Sequence, residues 1–327
     1  MVRRPLLSVE DLSVNYYTLE GVIKAVRNVS FHVDKGEVLC LVGESGSGKS
    51  TIGLAVADAL PDNAEVARGR IIFEGRELLK LSEDERRRIR GKEISVIFQD
   101  PAASLNPLFT IGEQLSDVMK VHLGIKNKEE LRRMALEKLK TVGLPDPERV
   151  YNAYPHELSG GMMQRAVIAI ALSTGTKLLV ADEPTTMLDV TLQAQILDLL
   201  AYLRRKFDLS VLFITHNLGV AAEVADRVLV VYAGVEVEEG NIDEILEEPF
   251  HPYTRSLIRC VPRGHRRESR LEFIPGSLPD LRNPPPGCPF HPRCEETMEV
   301  CRKKIPPIVT VGEGHRVACW LYSGEKS

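Results

Sequence analysis

The stretch GESGSGKST, residues 43–51, constrains this chain more than any other. It satisfies G-x-x-x-x-G-K-[ST]. It lies between an almost continuous apolar run, EVLCLVG (Glu37–Gly43), and a helical pattern, KSTIGLAVADAL (Lys49–Leu60). Strand, glycine-rich loop and helix in that order are the context a phosphate-binding loop requires. Gly43, Gly46 and Gly48 let the backbone approach phosphates without Cβ clashes. The loop amides and the helix N-terminus then face the anion. Lys49 is expected to reach the β- and γ-phosphates and Ser50 to hold Mg²⁺, with Ser45 and Thr51 completing the loop's ATP contacts.

The apolar run before the loop reads as a strand buried on both faces, which is the pattern of a parallel sheet. Two further segments repeat it, KLLVADEP (Lys177–Pro184) and SVLFITH (Ser210–His216), with LQAQILDLLAYLRRKF (Leu192–Phe207) as the helix between them. VSFHV, GRIIFEG and EISVIFQD read as shorter strands. SEDERRRIR carries a capping box, Ser82 with Glu85, and NKEELRRMALEKLKTVG has a helical apolar period that ends at a glycine. From about 101 to 172 the character is helical. RVLVVYAGVEVEEG (Arg227–Gly240) reads as a hairpin and NIDEILEE as a capped helix. From about His251 the chain becomes loop-like and rich in Pro, Gly, Cys and Arg. The expectation is a doubly wound α/β unit with an all-helical insertion.

Two more constellations carry chemistry. LLVADEP ends an apolar strand in adjacent acids. Asp182 would anchor Mg²⁺ through its water shell, and Glu183 would polarise the attacking water. HELSGGMMQR (His156–Arg165) places Ser159, Gly160 and Gly161 before a helix, a second anion-binding terminus. One chain cannot easily bring two such termini to one γ-phosphate; a second copy facing it can.

Taken together these motifs resemble the nucleotide-binding subunit of ATP-binding-cassette (ABC) transporters. The order is that family's: phosphate loop, FQDP with Gln99, LSGGM, VADEP, MLD with Asp189, and ITH with His216. The resemblance implies a P-loop NTPase fold with a RecA-like core, an antiparallel β subdomain, a helical insertion and a Cys-containing C-terminal extension. It implies ATP and Mg²⁺ as ligands, with Gln99 sensing Mg²⁺ and the γ-phosphate. Glu183, His216 and Gln99 form the catalytic set, and Ser50, Gln99 and Asp182 the Mg²⁺ set. Ser159, Gly160, Gly161 and Gln164 act in trans on the partner's ATP, and Asp189 lies at the dimer interface. Tyr16 falls where the family stacks an aromatic on adenine, with Tyr17 as the alternative register.

The tail refines the branch. HPYTRSLI, IPGSLPDL and GCPFHPRC resemble the extension of dipeptide and oligopeptide permease ATPases, and GGMMQR looks like the first of that family's two ATPases. This divides the chain into a cassette, 1–250, with its helical subdomain at about 101–172, and an extension, 251–327. The implied function is ATP hydrolysis that powers import of oligopeptides or dipeptides. The same machinery importing oligosaccharides is the alternative, and a soluble non-transport cassette is the remote one. The implied partners are a second related ATPase, two membrane permeases and an external binding protein. Nucleic acid is not expected, because basic and acidic residues are interspersed and the net charge is −4. The start, MVRRPLLSVEDLSV, has no signal-peptide core, and no apolar run approaches the roughly 18 residues of a spanning helix. The expected location is the cytoplasmic face of the membrane, peripherally bound.

Five of the six cysteines fall in the extension, and four of them, Cys288, Cys294, Cys301 and Cys319, cluster near its end, spaced C-x5-C-x6-C and then seventeen residues to the last. That spacing lacks the close pairs of a structural zinc site. Stable disulfides are uncommon in a cytoplasm outside hot-adapted organisms. Irregularly spaced thiolates can hold a 4Fe–4S cluster, and some members of the resembling family carry one in this extension. The four are assigned as cluster ligands, with zinc, disulfides and unmodified thiols as the alternatives.

Overall fold

The computed structural model describes residues 5–261 and 273–324. The remainder of the extension, 262–272 and 325–327, lies outside the described residues, as do residues 1–4.

Strand β1 (Leu7–Thr18) pairs antiparallel with β2 (Gly21–Val33), Leu7 opposite Val33 and Thr18 opposite Gly21. Leu7 and Val9 point inward, then Leu12 and Val14. The alternation slips at Asp11, whose φ of +51° marks a bulge where the register shifts. Strand β3 (Val38–Val42) is buried at all five positions and runs into the glycine-rich loop and α1 (Lys49–Val56). The helix is shorter than its apolar pattern suggests, because the chain turns at Asp58, φ +53°. Strand β4 (Ala64–Phe73) flanks β1 on its other side, and β5 (Arg76–Glu77) follows it. Next come α2 (Glu83–Ile89), with the expected Ser82–Glu85 capping box, and β6 (Ile94–Ile97).

The helical stretch consists of α3 (Pro101–Ser104), α4 (Ile111–Leu123), α5 (Lys128–Thr141), α6 (Pro147–Asn152) and α7 (Gly160–Ala171). Each start has a reason in the sequence. Asp100, Thr110, Asn127, Asp146 and Ser159 all accept a backbone N–H of the first turn. Strand β7 (Leu178–Asp182), α8 (Val190–Phe207), β8 (Ser210–Thr215), α9 (Leu218–Val224), β9 (Arg227–Tyr232), β10 (Val235–Asn241) and α10 (Ile242–Glu247) follow. The turn between β9 and β10 is Ala233–Gly234, both at positive φ, the geometry a two-residue hairpin favours.

The tail departs from the loop-like expectation. Residues Pro252–Arg259 form α11, with proline in the first turn and the His251 imidazole accepting the Tyr253 N–H at 3.0 Å. A proline that suggests loop by composition is at home at a helix start, where its missing N–H costs nothing. Two short strands, β11 (Ile308–Thr310) and β12 (Arg316–Ala318), complete the chain.

Packing divides the chain into two compact units. The first takes residues 1–34, 38–79 and 213–327. It contains the four-stranded antiparallel sheet β2-β1-β4-β5. It also contains a run of strands in the order β11-β12-β10-β9-β3, with β3 parallel to β9 and the other pairs antiparallel. The second takes 35–37 and 80–212, with β6 parallel to β7 and the helices α2 to α8. The compositional boundary at residue 250 is not a packing boundary. The extension belongs to the first unit because β12 adds to the edge of β10 and because Tyr253 and Phe290 pack on Tyr232.

Candidate functional site

In the first unit the phosphate loop is held by its surroundings. A Cβ on Gly43 would lie 2.1 Å from the Val231 carbonyl oxygen, and one on Gly48, φ +100°, 2.4 Å from that of Ala25. Only glycine fits either position. Lys49 is buried, and its Nζ donates to the carbonyls of Gly43 and Glu44 at 2.8 Å each and to Ser47 Oγ at 3.4 Å. The ammonium therefore arches back over the loop. Gly48 caps α1 without a side-chain acceptor, and no acid sits in the first turn, so the helix end keeps its positive field for an anion. Ser45, Gly46 and Ser50 are exposed.

Thr51 is buried, and its Oγ1 lies 3.4 Å from the Tyr16 hydroxyl. Tyr16 thus stands beside the loop, whereas Tyr17 is exposed and donates its hydroxyl to Glu65. His216 follows the end of β8 and is exposed.

The extension's thiols belong to the same unit. Cys288, Cys301 and Cys319 are buried and Cys294 is half-buried; none of the six cysteines forms a disulfide. Burial, with Cys301, Cys319 and Cys294 adding to its effect, pushes the Cys288 thiol up to about 12. Burial likewise raises Cys319 to about 11, with Cys294 and Cys301 adding to the effect, and it raises Cys294. Neighbouring thiols are therefore near enough to oppose the ionisation of Cys288, Cys294 and Cys319. Even so, no three His, Cys, Asp or Glu side chains among the described residues come together as a metal-holding group. Both observations hold, because Coulombic influence reaches further than a ligand bond. The donors are of the soft class a cluster takes, but their positions do not assemble one.

In the second unit, Gln99 follows β6 and is exposed, as is Asp100, which caps α3. Ser159 caps α7, its Oγ accepting the Met162 N–H at 3.4 Å, and Ser159 and Gly160 are exposed. Gly161 is buried; a Cβ there would meet Leu192 at 3.1 Å. Gln164 is 1% exposed, and its Nε2 donates to the Pro184 carbonyl at 2.8 Å. One helical turn beyond Ser159, it sits on the inner face of α7.

Asp182 ends β7. Glu183 has φ +47°, a conformation that strains a side-chain-bearing residue and clusters at functional sites. Its Oε2 accepts the Thr186 hydroxyl at 2.9 Å. Asp189 is exposed and caps α8 by accepting the Leu192 N–H at 3.0 Å. Thr186 was not foreseen from the sequence. The signal available was a hydroxyl three residues past the acid, within reach in a turn.

Comparison with known proteins sets these parts in context. Residues 26–186 match the family model for ABC transporters, and residues 237–301 match that for the oligopeptide/dipeptide transporter C-terminal region. The chain is 50% identical over 318 residues to the oligopeptide transport ATP-binding protein OppD of Bacillus subtilis, covering 97% of this chain and 88% of that one. It is 48% identical to the dipeptide transport ATP-binding protein DppD of the same organism, covering 97% and 94%. Among solved structures, a dimeric ATP-binding cassette in a post-hydrolysis state, bound to ADP and phosphate, aligns with a TM-score of 0.65 at 30% identity, covering 72% of this chain and 98% of that one.

Proposed function

This chain belongs to the ABC transporter family, with the C-terminal region of its oligopeptide/dipeptide branch, and from that premise we propose that it is the ATPase that powers peptide import through a membrane permease. The observation that carries this reading is the presence, in one compact unit, of a phosphate loop with Lys49 arched over it and of the oligopeptide-type extension. The relatives compared above are named for oligopeptide and dipeptide transport, and nothing favours the oligosaccharide or soluble-cassette alternatives.

The ATP contacts are assigned to Tyr16, Gly43, Ser45, Gly46, Gly48, Lys49, Ser50 and Thr51. Ser50, Gln99 and Asp182 would supply the oxygen donors that Mg²⁺ takes, and the bound ion would neutralise phosphate charge. Glu183, held by Thr186, polarises the attacking water, with His216 and Gln99 at the γ-phosphate. Ser159, Gly160 and Gly161 complete the ATP site of a facing subunit, and Asp189 lies at that interface. The exposure of Ser159 and Gly160 on a capped helix end supports this role, and the cassette aligned above is dimeric. The facing subunit is a second related ATPase, and the remaining partners are two permeases and an external binding protein. Residues 1–250 act as the cassette, 101–172 as its helical part and 251–327 as the extension.

No helix among the described residues is long and apolar enough to cross a membrane. Attachment at the cytoplasmic face then runs through the permeases. In the extension we assign Cys288, Cys294, Cys301 and Cys319 to a 4Fe–4S cluster. The support is the donor set and the mutual effect of the thiols; binding requires them to close in, and no step of ATP hydrolysis depends on it.

The test is reconstitution of the chain with its permeases and partner ATPase in vesicles. Peptide uptake should require ATP and be abolished by Lys49→Ala. Uptake at the wild-type rate in that variant would refute the reading.

A further inference from the structure

Glu44 is the second residue of the phosphate loop, at a position the motif leaves open. Its carboxylate meets Arg293 in a two-pronged pair, Nη1 to Oε2 at 2.7 Å and Nη2 to Oε1 at 2.9 Å. The Arg293 side chain is only 5% exposed. It stacks over the Tyr232 ring, 5.7 Å from its centroid. The same guanidinium donates to the Pro275 carbonyl at 2.8 Å and to that of Ile274 at 3.2 Å. The Glu44 amide donates to the Tyr253 hydroxyl at 2.8 Å, and its carbonyl receives Lys49 at 2.8 Å and the Ser47 N–H at 3.1 Å.

Every polar group of Glu44 is therefore fixed, and two of the three are fixed from the extension. Tyr232, Tyr253 and Phe290 seat these partners as an aromatic cluster, with ring centroids 4.7 to 5.3 Å apart. Beyond Pro275 the extension continues along the same region. A Cβ on Gly46 would lie 3.8 Å from Leu278. The Leu281 carbonyl accepts the Lys24 N–H at 3.1 Å, and Arg282 pairs with Glu20 in the turn after Tyr16 and Tyr17.

A carboxylate in a phosphate-binding loop is unfavourable on its own, because it repels the anion the loop must hold. A buried, bidentate guanidinium cancels that charge and fixes the loop's geometry, which a lysine's point charge does only in part. We propose that Arg293 is a positioning residue of the ATP site. It neutralises Glu44 and holds the first turn of the phosphate loop, so that the extension forms part of the nucleotide site of its own chain. The proposal rests on the assignment of GESGSGKST as the ATP loop.

The experiment measures binding of adenylyl imidodiphosphate with Mg²⁺, a non-hydrolysed ATP analogue, to the full-length chain by titration calorimetry, with thermal unfolding as a control. Arg293→Ala is expected to weaken binding about tenfold and Arg293→Lys about threefold, as loss of a charge-assisted pair implies. Glu44→Gln alone should change affinity by less than about threefold. In the double variant Arg293→Ala/Glu44→Gln, affinity should return to near that of Glu44→Gln, since the carboxylate that needed cancelling is gone. A purely structural anchor predicts no such rescue, so a double variant as weak as Arg293→Ala overturns the proposal. So does wild-type affinity in Arg293→Lys or in a folded Arg293→Ala. In the assembled transporter the KM for ATP should rise while kcat at saturating ATP is kept; equal losses in both count against it. Lys49→Ala in the same titration separates the two levels. If Lys49→Ala binds like wild type, the ATP-loop assignment fails and takes the proposal with it. If Lys49→Ala abolishes binding and Arg293→Ala leaves it intact, only the role of Arg293 fails.

Discussion

Gln164 reaches from the inner face of α7 to the Pro184 carbonyl, 2.8 Å away, and so ties the helix that begins at Ser159 to the turn that follows Glu183. Its Oε1 is buried with no partner, so the side chain is held through its donor end alone. Gln164→Leu removes that donor and leaves a buried carbonyl unsatisfied, at about 1–3 kcal/mol. Thermal unfolding should shift down accordingly. Turnover should fall by about tenfold, with nucleotide affinity unchanged, because the segment loosened carries Glu183 and not the phosphate loop. Unaltered kcat in the assembled transporter would remove Gln164 from the catalytic support.

Glu183 combines a reactive position with a strained backbone, φ +47°. Glu183→Gln should bind MgATP and lose turnover by about 10²–10⁴, the usual contribution of a general base. Glu183→Gly should be equally inactive yet no less stable than Glu183→Gln, because glycine adopts this φ without the penalty of about 1–3 kcal/mol. Single-turnover kinetics and thermal unfolding on the pair of variants check both halves. Ser159→Arg should instead impair the site whose ATP the facing subunit holds, and nucleotide binding by the isolated chain should survive it.

Legibility in the sequence followed the range of the interaction. The phosphate loop, the Ser82–Glu85 cap and the Ala233–Gly234 hairpin are local devices, and spacing alone exposes them. The bond that Gln164 makes was not legible in the same way: a helix turns the side chain inward, and its partner lies 20 residues away. The role of Glu44 has no signal in the sequence, because Arg293 is 249 residues distant and no pattern marks a pair across that gap. Helix α11 was missed because proline and histidine count as loop formers by composition, while at a first turn they are a start signal. The extension's place beside the loop depends on β12 pairing with β10, Glu238 opposite Val317, which short strands with little alternation do not announce.

Two buried groups give opposite pH dependences. Burial raises the Glu236 carboxyl to about 7, opposed by Arg316 and reinforced by Glu239. The folded chain then holds a proton that the unfolded chain releases between about pH 4.5 and 7, so stability falls as pH rises through that window. Burial lowers His251 to about 4. Between about pH 4 and 6.5 the unfolded chain takes up a proton that the folded chain refuses, so stability falls as pH drops. Each contribution is on the order of 3 kcal/mol, and the two compensate in their shared range. Glu236→Gln should therefore raise the unfolding midpoint relative to wild type by roughly 5 °C at pH 8 and by little at pH 4.5. His251→Asn, whose side-chain oxygen still caps α11, should do the reverse, gaining only below about pH 6. Midpoints measured from pH 4.5 to 8 on both variants check the signs; parallel curves would refute the assignment.

The last prediction concerns Cys288, Cys294, Cys301 and Cys319. Three are buried, and burial together with neighbouring thiols raises Cys288, Cys294 and Cys319, so these stay protonated at neutral pH unless a cation compensates them. Metal binding and thiolate formation are then coupled, and iron uptake should release protons. Anaerobically purified protein should contain about four irons per chain, with the visible absorption of a 4Fe–4S centre. The described positions do not bring three donors to one point, so the gain on loading should appear as a rise in unfolding temperature as the segments around Cys294 and Cys301 close. Stoichiometric zinc without that absorption would assign the site to a structural metal. Metal-free protein whose four thiols alkylate only after reduction would assign it to disulfides. In either event the ATP chemistry stands, since Lys49, Glu183 and the loop owe nothing to iron. Arg293 immediately precedes Cys294, so the Arg293–Glu44 pair is where the state of this site would first register at the nucleotide. Comparing the affinity for the non-hydrolysed ATP analogue in loaded and metal-depleted protein measures that coupling directly, and a difference of about threefold or more is expected if both assignments hold.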